Sequence, residues 1–237
     1  MNFAAILAAG SSVRMGNPDK PKQFFLLGDK PVLIHTVEKF CMSGSFEKVF
    51  LLCPKAWIQQ TKDLIETHCP HYSSSVEVIA GGELRNETIQ LCIDHIEKNF
   101  LVDNETILVT HDAVRPFVSL RIIEENIRAA TKYGACDTVV PATDTIVEST
   151  DAAFVASIPN RKNLYQGQTP QSFKMKKLKE LYLSLSLEEK LLLTDACKIF
   201  VLRNEKVALV NGDGSNIKIT HPQDMRVAQA FLGETLC

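Results

Sequence analysis

The sequence lacks the features that mark several large classes of protein. It has no run of eighteen apolar residues, so no transmembrane helix is expected. Its formal net charge is only −2, which gives no basic footprint of the kind that nucleic-acid-binding proteins usually carry. No basic stretch precedes the first apolar run, which stops at Gly10, so a strand is expected there rather than a signal peptide. We therefore expect a globular protein that acts on neither nucleic acid nor membrane.

The cysteines lack the spacing of a disulfide or metal-binding pattern. The seven cysteines are odd in number and never form a C-x-x-C pair. This arrangement argues against a disulfide framework and a zinc ribbon, and it favours a reducing, cytoplasmic location. His68 and His71 lie on either side of Cys69, but they fall in a polar stretch between a helix and a loop. A metal site is not expected there.

Two common nucleotide-binding signatures are also missing. The loop after the first predicted strand has neither G-x-x-x-x-G-K-[ST] nor G-x-G-x-x-G, which disfavours a P-loop protein and an NAD-dependent dehydrogenase. The same loop, from Gly10 to Gly28, is nevertheless rich in Gly, Ser, Pro and Lys. Small residues let backbone N–H groups approach phosphate oxygens, and Arg14 and Lys22 add two positive charges. The loop therefore predicts a phosphate site of another design, the alternative being a surface loop with two solvated cations.

Apolar segments and helical patterns alternate along the first two-thirds of the chain. Strands are predicted at residues 3–8, 48–53, 76–80, 106–110 and 137–142. The intervening segments carry apolar residues at helical spacing. This alternation predicts an α/β fold with a doubly wound, mostly parallel, Rossmann-like sheet. No linker or repeat divides the sequence, so one domain over residues 1–237 is expected.

The alternation breaks in the last third of the chain. Residues 145–149 and 154–158 read as the two strands of a hairpin, which would project as a β-arm at about residues 142–166. Two further short strands are predicted at residues 207–211 and 216–219. The fold is thus expected to be a nucleotide-binding sheet with a protruding arm.

A carboxylate falls at the end of the fourth predicted strand of the sheet. In open α/β sheets ligands bind outside the carboxyl ends of the strands, which is where Asp112 lies. A carboxylate facing a phosphate loop suits Mg²⁺, which takes one or two carboxylates plus substrate phosphates. Arg115 can pair with Asp112 or with a ligand phosphate. The alternative is a structural Asp–Arg pair that closes the strand, and His111 is interpreted as a hydrogen-bonded core residue.

Groups suited to a second phosphate substrate are spread over the rest of the sequence. Arg161 and Lys218 could bind its phosphate, and polar residues at 166–171 and 194–195 could bind the hydroxyl groups of a polyol. Each of these residues could equally be a solvated surface side chain. Only their combination points to a second substrate.

Seven short motifs follow one another along the chain. They occupy residues 7–10, 14–16, 21–23, 81–85, 111–116, 168–171 and 216–218. In this order they resemble the cytidylyltransferases that make CDP-polyols, and the resemblance covers essentially the whole sequence. One subfamily acts on 2-C-methyl-D-erythritol 4-phosphate in isoprenoid synthesis. The other acts on D-ribitol 5-phosphate and supplies CDP-ribitol for teichoic acid or capsule polymers.

Local details favour the ribitol subfamily. Residues 165–173 and 194–198 resemble that group closely, and Val114 stands where the erythritol enzymes usually have alanine. Residues 8–10 are as typical of the erythritol enzymes as of the ribitol enzymes. D-Ribitol 5-phosphate is therefore the expected acceptor, with methylerythritol phosphate as the alternative.

The resemblance implies a role for each matching residue. The CTP-binding residues would be Leu7, Ala8, Ala9, Gly10, Gly81, Gly82, Glu83, Arg85, Thr88, Asp112 and Ala113. The residues that bind the polyol phosphate would be Arg115, Arg161, Thr169, Thr194 and Lys218. The groups expected to act in catalysis are Arg14, Lys22, Asp112, Arg161 and Lys218. Asp112 would also hold Mg²⁺ or another divalent cation, and the arm would join two subunits into a homodimer, with Arg161 serving the partner's site.

The implied reaction transfers CMP from CTP to the polyol phosphate and releases pyrophosphate. The attacking phosphate oxygen is already an anion, so neither a general base nor a covalent intermediate is expected. A different class of protein, an inactive CTP-binding module, is the remaining alternative. The four charged residues Arg14, Lys22, Asp112 and Lys218 argue against it.

Overall fold

The structure is a computed structural model that describes residues 1–10 and 20–234. Its strands are β1 (Asn2–Leu7), β2 (Leu26–Leu27), β3 (Lys30–Pro31), β4 (Lys48–Cys53), β5 (Val76–Ala80), β6 (Ile107–Asp112), β7 (Ala135–Pro141), β8 (Tyr165–Lys174) and β9 (Ala208–Asn211). Its helices are α1 (Val32–Met42), α2 (Ile58–His68), α3 (Arg85–Asn99), α4 (Leu120–Tyr133), α5 (Met175–Leu183), α6 (Leu187–Leu191), α7 (Cys197–Leu202) and α8 (Pro222–Glu234).

A seven-stranded sheet forms the centre of the part of the chain that the structure describes. Its strands lie in the order β5-β4-β1-β6-β8-β7-β9, and β2 pairs with β3 in a small separate ribbon. Strands β5, β4, β1 and β6 run parallel to one another, and β7 is parallel to β9. Strand β8 is antiparallel to both of its neighbours. The predicted mostly parallel, Rossmann-like sheet is confirmed.

The central strands are apolar because helices cover both faces of the sheet. On one face, Ile6 of β1 packs in a cluster with Val37 of α1 and Ile122 of α4. On the other face, Phe3 of β1 packs with Ile93 of α3 in a cluster that also contains residues of α5 and α7. A strand that is buried on both sides needs a continuous apolar run, which is why these strands can be recognised in the sequence.

Two predicted strand regions differ from the structure. The hairpin predicted at residues 145–149 and 154–158 is reduced to a single antiparallel bridge between Glu148 and Ser157. An isolated two-stranded ribbon gains little burial, so long pairing there has little to stabilise it within one chain. The predicted strand at 216–219 does not form, and the side chain of Asn216 instead joins this segment to Gln168 and Thr169 of β8.

The described part of the chain contains no helix that is both long and apolar enough to cross a membrane. Six cysteines fall within it, and all six are free thiols.

Candidate active site

A cleft of about 180 Å³ opens at the carboxyl ends of β1 and β6. Its lining residues are Leu7, Ala8, Ala9, Gly10, Lys22, Gln23, Gly82, Glu83, Leu84, Arg85, Thr88, Asp112, Val114 and Lys218. Most of the residues expected to bind CTP are therefore brought together around one opening. Ala113 is fully buried beneath it, and Gly81 lies behind the lining.

Asp112 is the centre of charge in this cleft. It is the last residue of β6, and three cations from different parts of the chain converge on its carboxylate. The Nζ of Lys218 lies 2.8 Å from Oδ2, and Nη1 of Arg85 donates to Oδ1. The Nε of Arg115 lies 3.7 Å from Oδ2. Three positive charges against one negative charge leave a surplus that favours an anionic ligand.

The cations determine the protonation state of Asp112. Burial alone would raise the pKa of this carboxyl group, but the charges of Arg85, Lys218 and Arg115 outweigh burial and hold the pKa well below its usual range. The carboxylate is therefore ionised throughout the neutral range. It can serve as a ligand for a cation without first losing a proton.

A buried hydrogen-bond chain fixes the backbone of Asp112. Its N–H donates to Oγ1 of Thr169 over 3.1 Å, and the same Oγ1 lies 3.0 Å from Nδ1 of His111. The Nε2 of His111 lies 3.1 Å from the carbonyl oxygen of Arg115. Because that carbonyl can only accept, Nε2 carries the ring proton and Thr169 donates to Nδ1. Burial lowers the pKa of His111 to about 3, so the ring is neutral and acts as a spacer between strand ends.

Glycine is required where the loop after β5 meets the loop after β1. A Cβ on Gly81 would lie 2.6 Å from the Cβ of Ala9, so a side chain would push the two loops apart. The N–H of Gly82 donates to Oγ1 of Thr88 over 3.0 Å, and Oγ1 donates to the carbonyl of Leu84 over 3.0 Å. Thr88 thus holds the wall of the cleft in place from the first turn of α3.

Glu87 fixes the same loop from its other side. Its Oε2 accepts hydrogen bonds from the backbone N–H groups of Glu83 and Leu84, at 2.8 and 3.2 Å. A carboxylate that accepts these N–H groups in the first turn of a helix is the capping arrangement that favours the start of α3. The sequence analysis did not single out Glu87, although an acidic residue three positions after a loop end is a recognisable cap.

Lys22 reaches the cleft from a short 3₁₀ helix, Lys22–Phe24. The amide of Gln23 donates to the carbonyl oxygen of Ala8, which ties this turn to the end of β1. Phe24 is buried and its ring stacks on Trp57 with centroids 4.4 Å apart. The turn that presents Lys22 is therefore anchored on both sides. Gln23 belongs to the motif at residues 21–23, but only the structure reveals that it positions this turn.

Lys218 and Arg115 are positioned by Asn216. The Nδ2 of Asn216 donates to the carbonyl of Thr169 over 2.8 Å and to Oε1 of Gln168 over 3.1 Å. Its own carbonyl accepts from Nη1 of Arg115 over 2.7 Å. This buried side chain therefore joins the middle of β8 to the segment that carries Lys218.

Several predicted site residues do not line the cleft. Arg161 lies on the exposed arm, where its Nη1 donates to the carbonyl of Thr143 over 2.7 Å. Thr194 is exposed in the segment before α7. The hydroxyl of Thr169 is engaged in the buried chain below Asp112. Arg14 lies outside the described residues.

The donor set around Asp112 fits a divalent cation of a particular kind. Within residues 1–10 and 20–234, no three His, Cys, Asp or Glu side chains gather into a metal site. Asp112 supplies one carboxylate, whose oxygens face Arg85 and Lys218. Mg²⁺ takes one or two carboxylates and completes its shell with substrate phosphates and water. The residues therefore fit a cation that arrives with a nucleotide.

The chain matches a known protein family over almost its full length. The family model described as "IspD: 2-C-methyl-D-erythritol 4-phosphate cytidylyltransferase" matches residues 3–234. This match confirms the predicted class of cytidylyltransferases.

The chain is also similar to several solved structures. The 4-diphosphocytidyl-2C-methyl-D-erythritol synthase of Anaerococcus prevotii is 28% identical, with 98% of this chain and 96% of that one covered and a TM-score of 0.79. The 2-C-methyl-D-erythritol 4-phosphate cytidylyltransferase of Francisella tularensis is 25% identical, with 97% and 98% covered and a TM-score of 0.79. The corresponding enzyme of Thermus thermophilus is 25% identical, with 98% of both chains covered and a TM-score of 0.75. The chain belongs to the IspD family of cytidylyltransferases.

Proposed function

We propose that this protein transfers CMP from CTP to D-ribitol 5-phosphate, which gives CDP-ribitol for teichoic acid or capsule polymers and releases pyrophosphate. The observation that carries the transfer is the cluster around Asp112, where three cations converge on one carboxylate in a glycine-lined cleft. The cleft lies at the carboxyl ends of parallel strands, the usual ligand position in such sheets.

CTP occupies the cleft between the loops that follow β1 and β5. Residues 7–10, residues 82–85 and Thr88 form its walls, and the small residues among them let backbone N–H groups approach the nucleotide. Lys22 faces the same space and would bind the triphosphate. Arg14 is proposed to bind the triphosphate together with Lys22.

The reaction is an in-line attack of a polyol phosphate oxygen on the α-phosphorus of CTP. The new P–O bond forms as the bond to the β-phosphate oxygen breaks, and pyrophosphate leaves with that electron pair. Two anions must meet, so the main task of the protein is to bring cations to where charge develops. Lys218 and Arg115 would hold the acceptor phosphate, while Lys22 would stabilise the leaving group.

Asp112 would hold Mg²⁺ together with phosphate oxygens of the nucleotide. Enzymes of this family generally use divalent metal ions. When bound, such an ion neutralises charge on the phosphates. The side chains of Arg85 and Lys218, which pair with Asp112 here, would then be available to the substrates.

The choice of acceptor rests on two opposing observations. Residues 165–173 and 194–198 resemble the ribitol enzymes, which supports D-ribitol 5-phosphate. The comparisons favour the second candidate, 2-C-methyl-D-erythritol 4-phosphate, because the family model and the solved structures are named for enzymes of that substrate. The two candidates share the fold and the mechanism but differ in the acceptor.

We also propose a homodimer formed through the arm. The arm exposes several large apolar side chains, and Phe154 has 79% of its surface accessible. Arg161 lies on this arm and away from the cleft of its own chain, so a dimer would let it serve the partner's site.

The experiment is Mg²⁺-dependent pyrophosphate release from CTP, with the two polyol phosphates assayed in parallel. Faster turnover with ribitol 5-phosphate supports the proposal, and faster turnover with methylerythritol phosphate assigns the second candidate. Lys22→Ala should lower the rate by a factor on the order of 10²–10³, the range for losing one preorganised charge-stabilising group. The exposed Lys62→Ala in α2 is the matched control. CTP binding without turnover of either acceptor would indicate an inactive binding module.

A further inference from the structure

Asp137 is a second carboxylate on the same face of the sheet as Asp112, and the reaction described above does not use it. Asp137 in β7 lies opposite Gln171 in β8, and Gln171 lies opposite Thr110 in β6. Side chains of directly paired residues share a face, and Asp112 follows Thr110 by two positions. The side chains of Asp112, Gln171 and Asp137 therefore project from one face.

The carboxylate of Asp137 is only partly satisfied. Its Oδ1 accepts a hydrogen bond from Nε2 of Gln171 over 3.0 Å, the single hydrogen bond that this carboxylate makes with the described residues. Its Oδ2 lies beside Gly167, where an added Cβ would be 3.7 Å away. Gly167 is exposed and Asp137 is only partly buried, so this carboxylate lies near the surface. A carboxylate offers about four acceptor positions, and most remain available here.

Gln171 carries a second unsatisfied acceptor at the same place. Only 2% of this residue is exposed, and its Oε1 has no hydrogen-bond partner among the described residues. Buried polar atoms are nearly always paired with protein, water or ligand. Asp137 and Gln171 therefore present acceptors side by side, and what they lack is a donor.

The proposed acceptor is a polyol, so the donor for Asp137 would be a hydroxyl group. Burial, together with the nearby charge of Asp195, raises the pKa of Asp137 to about 6. Asp195 lies just before α7, where its Oδ1 accepts from the N–H of Lys198 over 2.9 Å. Arg85 and Arg115 are close enough to act on Asp137, but both contact Asp112. An incompletely solvated carboxylate without a paired cation costs stability, which marks it as a functional group.

We propose that Asp137 and Gln171 form a hydroxyl-binding subsite that selects the acceptor polyol. Oδ2 of Asp137 accepts one hydroxyl of the chain, and Gln171 supports the carboxylate from below and contributes its amide to a neighbouring hydroxyl. This inference rests on the proposed cytidylyl transfer and specifies its acceptor. The subsite favours an acceptor without a methyl branch, because a methyl group would place apolar surface against these acceptors.

The test compares Asp137→Asn with wild type in steady-state pyrophosphate release from CTP. The KM for ribitol 5-phosphate should rise about 10- to 100-fold, the range for losing a hydrogen bond to a charged group, while the KM for CTP stays within about twofold. Asp63→Asn in α2 is the matched control, because Asp63 also accepts from a glutamine Nε2, at 2.8 Å, but on the exposed surface. Its kinetics should equal those of wild type.

Gly167→Ala is the second variant and keeps both acceptor side chains. The added methyl group makes an ordinary contact with Oδ2, so the fold is not strained, but the opening above the carboxylate narrows. Gly167→Ala should also raise the KM for ribitol 5-phosphate. If Asp137→Asn does not fold, this second variant still tests the subsite. The subsite is refuted if the acceptor KM is unchanged in both variants, or if the KM for CTP rises equally. A wild-type enzyme inactive with both polyol phosphates would instead overturn the proposed function, and the subsite with it.

Discussion

At the scale of single residues, two carboxylates on one face of the sheet have opposite electrostatic settings. Asp112 is surrounded by cations that depress its pKa, whereas burial raises the pKa of Asp137 to about 6. Asp112 is thus suited to bind a cation, and Asp137 is suited to accept a hydrogen bond from a neutral hydroxyl group. The pH dependence of stability should therefore have opposite signs for the two residues.

Asp112→Asn should lower both activity and stability. Its removal leaves Arg85, Lys218 and Arg115 facing one another, which should cost on the order of 1–3 kcal/mol because two of them are partly exposed. Turnover should fall by at least about 10². Urea unfolding at neutral pH and pyrophosphate release measure the two effects, with the exposed Asp29→Asn as control. Equal stability and turnover in the variant would contradict the assignment.

The contribution of Asp112 should disappear in acid. The folded-state pKa lies below the unfolded value of about 3.9, so its stabilisation is complete above that value and is lost as the pH falls below it. The difference in unfolding free energy between wild type and Asp112→Asn should therefore shrink below about pH 4. A difference that stays constant from pH 7 to pH 3 would mean that the ion cluster does not stabilise the fold.

Asp137→Asn should show the reverse. Because its folded-state pKa is raised, the native protein holds an extra proton between the unfolded value of about 3.9 and about pH 6, and stability is lost as the pH rises through that window. The groups that act on Asp137 are Gln171, Asp195, Arg85 and Arg115. Relative to wild type, the variant should gain on the order of 1–3 kcal/mol from pH 4 to pH 7. Chemical unfolding at several pH values measures this gain. A difference in unfolding free energy that does not change between pH 4 and pH 7 would contradict the raised pKa of Asp137.

Lys22 and Asp112 could be predicted because each follows an apolar strand of the sheet. The other residues that line the cleft, mainly those at 7–10 and 82–88, were implied by the resemblance to the family. The positioning side chains Gln23 and Asn216 act through backbone carbonyls far away in the sequence. A contact of that kind leaves no local pattern, so only the folded chain reveals it.

At the scale of elements, the start of α3 determines the shape of the nucleotide cleft. Thr88 and Glu87 in its first turn hold the backbone of the loop after β5. The loop is thus part of the helix cap, and its geometry depends on two side chains, of which Thr88 also lines the cleft. Changes there should affect binding of the nucleotide more than the rate of transfer.

Thr88→Val should raise the KM for CTP by roughly tenfold with a smaller change in kcat. The substitution removes the acceptor for the N–H of Gly82, and losing one such hydrogen bond costs about 1–1.5 kcal/mol. Thr67→Val is the matched control, since Thr67 makes the same bond to the carbonyl four residues back in α2, but on the surface. Steady-state kinetics with varied CTP decide the outcome. An unchanged KM for CTP in Thr88→Val would show that the loop needs no support from α3.

Among the elements, the parallel strands could be predicted and β8 could not. A strand buried on both faces is an apolar run, whereas β8 contains Gln, Gly, Thr, Pro and Ser between Tyr165 and Phe173. From Gln168 to Ser172 the polar side chains are buried in hydrogen-bond networks, such as the one that joins Gln171 to Asp137. A pattern of apolar residues cannot predict a strand whose buried side chains are polar. The antiparallel strand therefore became visible only in the structure.

At the scale of the whole molecule, the arm exposes large apolar side chains that have no packing role in their own chain. Phe154, Val155 and Ile158 are all exposed there, and the arm contains little pairing of its own. Such side chains are typical of a surface that packs against another subunit. The proposed homodimer gives both the arm and Arg161 a partner.

Phe154→Asp with Ile158→Asp should convert the dimer into a monomer. Placing two charges in an apolar interface removes its burial and adds desolvation cost. Leu101→Asp is the control, because Leu101 is 95% exposed but lies outside the arm. Sedimentation equilibrium of wild type and both variants gives the mass. A monomeric wild type, or a double variant that remains dimeric, would contradict assembly through the arm.

The most direct test of the account follows the atoms of the reaction. The enzyme is incubated with CTP, Mg²⁺ and ribitol 5-phosphate that carries ¹⁸O in its non-bridging phosphate oxygens, and the products are analysed by mass spectrometry. Attack of the acceptor phosphate on the α-phosphorus predicts CDP-ribitol that retains all of the label and pyrophosphate that contains none. Label in pyrophosphate, or hydrolysis of CTP to CMP without a CDP-polyol, would contradict cytidylyl transfer at the Asp112 cluster.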